Sequence, residues 1–219
     1  VALTDYTTGG YTASSSTDAF NTAFATWRAF DGGPAGWHSG DSNNEVTFTE
    51  DSQGDTYSGG AYGPYSLGGI SGEWIKLELL QAVKLSHFTL KHRENGVLNH
   101  AQAPKDFTIL GSNDDITWDT IKEFTGEDSS SSGIPHTLDA SSAYRYVAIV
   151  VTRIHGTNSG MCVIGELEYF GSPEVVVERK QAFGAFPMSM REVLDADGKS
   201  LFVGANTTRR VYDEQWLAN

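Results

Sequence analysis

The chain has 219 residues, 39% apolar and 11% aromatic, with 24 glycines against 6 prolines and a formal charge of −13. That length can bury a substantial core as one domain of ordinary size with some extra. The acidic balance excludes a nucleic-acid backbone or an anionic membrane surface as the main partner, because either selects clustered Lys and Arg.

Taken in chain order, Ser14 to Asp18 supplies several N-cap candidates ahead of Phe20, Ala23, Phe24 and Trp27. Their i, i+3, i+4, i+7 spacing predicts one short amphipathic helix. The stretch WRAFDGGPAGWHSG, residues 27 to 40, then crowds two tryptophans, four glycines and a histidine around the single carboxylate of Asp31. Residues 40 to 72 are rich in glycine and poor in aliphatics, with Tyr57, Tyr62 and Tyr65 interspersed, and read as a long loop or a loosely paired ribbon. Strands follow. Glu73 to Leu80 alternates with Ile75, Leu77 and Leu79 on one face, and Lys84 to Arg93 places Phe88, Leu90 and His92 on one side. Phe107 to Gly111, Tyr144 to Val151 and Val163 to Phe170 continue the series. The run at 144 to 151 is apolar on both faces and is expected at the centre of its sheet. Turn residues at Asn95-Gly96, 113 to 115 and 129 to 132 separate the strands, so no crossover helices are expected and a β-sandwich follows. No apolar run reaches the ~20 residues of a spanning helix. The lone Cys162 excludes an internal disulfide.

Four segments, YTASSSTDAFNTAFATWRAFDGG, GEWIKLELLQAVKLSHFTLKHRENG, APKDFTILGSNDDITWDTIKEF and YRYVAIVVTRIHGTNSGMCVIGELEYFG, stand in an order and spacing that resembles a discoidin domain, the coagulation factor 5/8 type C domain. The resemblance spans residues 11 to 171. It implies a galactose-binding-like jelly-roll β-sandwich over residues 1 to 171, extracellular or displayed on a cell or virion surface, non-catalytic, and binding a glycan through loops at one end. In carbohydrate-binding members the Asp-Gly turn after the first helix holds a structural Ca²⁺. The resemblance carries that role to Asp31 and Glu166 through their carboxylates and to Arg28 and Gly33 through their carbonyls. A hard cation taking six to eight oxygens suits a Gly-rich turn where carbonyls can converge. Gly36 stands where the family usually carries a hydroxyl, and the segment between Trp37 and Glu73 is longer than is usual. The ligand positions that match the family are Arg93 with Asn99 or Asn95, and His38 from the neighbouring loop is a third candidate. A planar guanidinium can donate twice to vicinal sugar hydroxyls, and an amide can both donate and accept.

Enzymatic motifs are missing: there is no Gly-x-Ser-x-Gly elbow, no His-Glu-x-x-His and no phosphate loop. Cys162 heads an apolar strand and reads as a buried, inert thiol. Asp195 to Gly198 reads as a β-turn, and Asn206-Thr207-Thr208 is a glycosylation sequon by pattern. Residues 172 to 219 lie beyond the resemblance and carry Phe183, Phe186, Met188, Met190, Leu201, Phe202, Tyr212 and Trp216. Those are too many apolar anchors for a disordered tail, and the segment is expected to be an arm that docks in a homo-oligomer or larger assembly. The competing reading is a structural subunit of a virion, phage tail or surface filament whose sandwich has no glycan ligand.

Overall fold

A computed structural model describes residues 2–18, 23–40, 47–59, 63–93, 101–128, 132–156, 160–174, 176–183, 186–194 and 200–204. The two strands expected at 73–80 and 84–93 are one strand, Glu73–Lys91. It runs through Leu80, 50% exposed, without breaking. Its first half pairs antiparallel with Tyr11–Ser15 on one side (Ala13 opposite Leu77) and with Tyr144–Ile154 on the other (Ile149 opposite Ile75). Its second half pairs instead with Pro135–Thr137 (His136 opposite Phe88) and with Glu166–Pro173. A single strand therefore serves both layers of the β-sandwich, and the alternation slips where the pairing changes. Pro104–Ser112 continues the sheet beyond Tyr144–Ile154, and Asp119–Phe124 follows it.

Period-2 alternation sends Ile75, Leu77, Phe107, Ile109, Val147, Ile149 and Val151 into one core together with Trp37, Phe48, Phe88 and Leu167. Each such side chain removed from water contributes roughly 1.5–3 kcal/mol. Tyr144–Ile154 is central, as its two apolar faces require. Its other face, Ala148 and Val150 with Leu110, forms a second small cluster. The Gly-rich segment 40–72 supplies the cover. Phe48–Asp51 pairs with Gly54–Tyr57 and Ser66–Leu67 with Ile70–Ser71, and Leu67 and Ile70 pack on that second cluster. The described part of the segment is thus paired as a ribbon, pinned where Arg153 donates to both oxygens of Asp51 at 2.6 and 2.7 Å and to Asp106 at 3.1 Å.

Ser14 and Ser15 close the strand Tyr11–Ser15 and do not cap a helix. The middle of the expected helix, including Phe20, lies outside the described residues. Its end is a short 3-10 helix, Thr26–Phe30. Ser16 and Thr17 donate their hydroxyls to Glu73, a fully buried carboxylate. Trp37 is buried in the core, and Trp27 packs against it from the edge.

The chain divides into two units, Val1–Ser172 and Pro173–Asn219. Within the second, Val176–Phe183, Phe186–Leu194 and Ser200–Gly204 form an antiparallel three-stranded sheet, with Phe183 opposite Phe186 and Val193 opposite Leu201. Tyr212, Trp216, the sequon at Asn206 and the turn at Asp195 to Gly198 lie outside the described residues. Among the described residues no helix is long and apolar enough to cross a membrane.

Candidate functional site

Two glycines set the local geometry. Gly36 has φ +71°, and a Cβ there would meet the carbonyl oxygen of Ile164 at 2.3 Å. This left-handed residue, which only glycine adopts without strain, turns Trp37–His38 down to pair with Val163–Ile164. Gly165 then lets the end of the long strand press in: its N–H donates to the Lys91 carbonyl at 2.9 Å, and a Cβ would meet the His92 carbonyl oxygen at 2.6 Å and the Arg93 nitrogen at 2.9 Å. The consequence is that His38 and Arg93, 55 positions apart in sequence, come into contact.

Arg93 donates from Nη1 to Nε2 of His38 at 3.0 Å. A guanidinium has donors only, so Nε2 accepts and the ring is neutral with its proton on Nδ1. Burial, and then the neighbouring Arg93 charge, push the His38 pKa down to about 3. Phe24 completes the group. Its ring stacks on His38 with centroids 3.9 Å apart and planes at 16°, and the Arg93 guanidinium carbon lies 4.7 Å from the same ring's centre. His38 is 5% exposed while Arg93 is half-buried, so the imidazole stands behind the guanidinium and fixes it. Among the described residues the buried Nε of Arg93 has no hydrogen-bond partner. Sequence reasoning missed Phe24 because its spacing from Phe20 and Trp27 assigned it to a helical apolar stripe. Asn95, Asn99 and Tyr62 lie outside the described residues. The N–H of Tyr65 donates to the Tyr57 hydroxyl within the ribbon.

The Asp31 turn lies at the other end of the same loop. Asp31 accepts from Arg28 Nη1 at 3.2 Å and from the Gly33 N–H at 2.6 Å. Glu166 accepts from the Gly32 N–H at 2.8 Å. The structure therefore brings Asp31, Glu166, Arg28 and Gly33 to one turn. Burial raises the Glu166 pKa to about 7, against the Gly32 hydrogen bond, and the nearby Asp31 charge adds to the rise. A cavity of about 270 Å³ beside Glu166 is bounded by Gly32–Pro34 on one side and Lys91–His92 on the other. Among the described residues no cluster of three or more His, Cys, Asp or Glu side chains is assembled. The side-chain donors at this turn are the carboxylate oxygens of Asp31 and Glu166, a donor type that suits a hard cation such as Ca²⁺ better than a soft transition metal. Cys162 is fully buried, and burial pushes its thiol pKa well up, away from the reactive thiolate.

The model of the F5/8 type C domain matches residues 10–167. Among solved structures, the chain is similar to CpGH89CBM32-5 from Clostridium perfringens, in complex with GalNAc-beta-1,3-galactose, at 21% identity over 74% of this chain and 95% of that one, with a TM-score of 0.50. It is similar also to CBM32-3 from a family 31 glycoside hydrolase from Clostridium perfringens, at 16% identity over 73% of this chain and 88% of that one, with a TM-score of 0.51. At such identities the likeness shows a shared fold. No curated protein matches the sequence.

Proposed function

The chain belongs to the F5/8 type C domain family, and on that premise we propose that it is a non-catalytic glycan-binding module. The observation that carries the reading is the Arg93 guanidinium held by neutral His38 and stacked over Phe24. A guanidinium fixed before the ligand arrives loses little entropy on binding, so its hydrogen bonds to sugar oxygens count nearly in full. His38 acts as a positioning residue. Asn99 or Asn95, on the segment that follows Arg93, supplies the amide that both donates and accepts. The similar module from Clostridium perfringens was solved with GalNAc-beta-1,3-galactose, which supports a sugar as the ligand class.

Ca²⁺ is the structural cofactor of this reading, held by the Asp31 and Glu166 carboxylates and by the Arg28 and Gly33 carbonyls. When bound, the ion supplies positive charge to two crowded carboxylates. Its effect on binding is indirect, through the loop that also carries Gly36 and His38. The module acts outside the cell, on a cell surface or on a virion surface, and residues 172 to 219 form the arm through which it joins a homo-oligomer or larger assembly. The separate unit from Pro173 onward, with its own three-stranded sheet, also favours the second reading, a structural subunit of a virion, phage tail or filament with no glycan ligand. A glycan array probed with and without chelator tests the first reading: binding weakened by chelator supports it, and no bound glycan leaves the structural subunit. Sedimentation of the full chain beside one stopped after Ser172 tests the arm, which predicts an assembly in the first and a folded monomer in the second.

A further inference from the structure

Ile75, Leu77, Val147 and Ile149 face the core, so the alternate positions Trp74, Lys76, Glu78 and Tyr146 stand on the outer face of the same sheet. Trp118 joins them from the segment ahead of Asp119–Phe124. The three rings gather round one cation: Lys76 Nζ lies 5.7, 6.0 and 5.9 Å from the ring centres of Trp74, Trp118 and Tyr146. All three are half-buried, so part of each ring meets water. The charged groups among them are paired with neighbours. Lys76 donates to both oxygens of Asp115 at 2.6 and 2.7 Å, and Arg145 donates to Glu78 at 3.0 Å.

The turn that carries Asp115 is fixed on both sides. Asp114 accepts from the N–H groups of Ile116 and Thr117 at 2.9 and 2.7 Å, and Asn113 accepts from the Arg145 N–H and donates to the Ala143 carbonyl, each at 2.9 Å. Asp115 is the one non-glycine residue with a positive φ among the described residues, at 61°, a conformation held where the surroundings over-determine it. The turn therefore sets the Asp115 carboxylate against Lys76 and its rings. Paired charges of this kind call for no counter-charge, so an ionic ligand gains little here. A broad apolar partner would strip water from both ion pairs. A neutral pyranose suits both features: its C–H side is attracted to the negative face of an aromatic ring, and its hydroxyls donate to Asp115 and accept from Lys76. We propose that Trp74, Trp118 and Tyr146 around Lys76 form a second sugar site, for a neutral hexose unit, on the sheet's face. It shares the ligand class of the Arg93 reading and none of its residues. An open platform encloses little of its ligand, so affinity is on the order of millimolar, which a titration follows and a washed array does not retain.

The test titrates the full chain with lactose, cellotetraose and chitotetraose and follows the indole N–H signals of its five tryptophans by NMR, with Trp74 and Trp118 assigned from Trp74→Phe and Trp118→Phe. At least one probe is expected to shift both signals saturably, and to do so equally in Arg93→Ala. Tyr146→Ala should weaken that binding about fivefold, the loss of one aromatic contact. Asp115→Asn, which suits the same left-handed turn, should weaken it as well, and its melting curve overlaying wild type separates loss of contact from loss of fold. Shifts that disappear in Arg93→Ala overturn the second site and leave the glycan reading standing. Shifts that follow protein concentration and not sugar assign the face to a second copy of the chain and overturn the site. Silence of both signals toward all three probes overturns it too. Shifts that persist while Arg93→Ala loses no glycan on the array would overturn the Arg93 reading and leave this site in place.

Discussion

At Asp31 the loop crowds two carboxylates against one arginine, and seven residues later, at His38, it crowds one arginine against an uncharged ring. Negative charge is in excess at the first position, where burial and Asp31 together hold Glu166 near a pKa of 7. At the second, Arg93 donates to the neutral ring of His38 and faces no carboxylate among the described residues. The difference is that two carboxylates gather at one end of the loop, while at the other a guanidinium is held by a neutral ring. In the proposed reading a cation completes the first and a sugar's hydroxyls complete the second. Both depend on the reversal at Gly36, which lies between them.

The largest effect expected is therefore from Gly36→Ala, which breaks both sites together. A left-handed non-glycine residue costs about 1–3 kcal/mol, and the overlap with the Ile164 carbonyl adds to it. Thermal melting should fall sharply, and both the Ca²⁺ response and glycan binding should be lost. Arg93→Ala separates the sites: glycan binding should weaken by about 1.5–3 kcal/mol, the range of a hydrogen bond to a charged group, with the Ca²⁺-dependent melting shift intact. Asp31→Ala is the converse. A ligand of the native state alone adds about 2.7 kcal/mol at a hundredfold excess over Kd, so Ca²⁺ should raise the melting midpoint of wild type and leave that of Asp31→Ala unmoved.

The smallest effect, and the one that sharpens the contrast, is on pH. Glu166 has its folded pKa raised, so the stability it contributes is present below its ordinary value of 4.5 and is lost as pH rises through about 7. Removing Ca²⁺ should steepen that loss. His38 has its folded pKa lowered to about 3, so its contribution is present above the ordinary histidine value of 6.5 and is lost as pH falls towards 3. Melting followed from pH 3 to 8 should show an acid arm removed by His38→Gln and an alkaline arm removed by Glu166→Gln. Both arms vanishing in one variant would contradict the separation.

Much of the fold was legible because alternation reports burial directly: Ile75, Leu77 and Leu79, or Val147, Ile149 and Val151, can face inward only as strands. The doubly apolar run at 144 to 151 was legible as central for the same reason. What covered its second face was not, because Leu67 and Ile70 are isolated aliphatics in a glycine-rich segment, with no periodicity to mark them. Continuity through Leu80 and Gln81 was also hidden. A strand that changes partners slips its alternation just as a turn would. At the candidate site, the resemblance named Arg93 and the neighbouring loop named His38, but nothing in the sequence announced their contact, which depends on Gly36 and Gly165 admitting close approach. Glycines advertise freedom without saying what comes near. Nothing in the alternation of 73 to 80 marks Glu73 as a buried charge; the hydroxyls of Ser16 and Thr17 donate to its carboxylate in the interior, and no spacing in the sequence announces that contact.

The account stands most directly on Arg93, and one comparison tests it: a glycan array probed with wild type and with Arg93→Ala of matched melting temperature. The account predicts a defined set of glycans bound by wild type and none of them retained by the variant. Full retention of that set by Arg93→Ala, or an array on which wild type binds nothing, would contradict it.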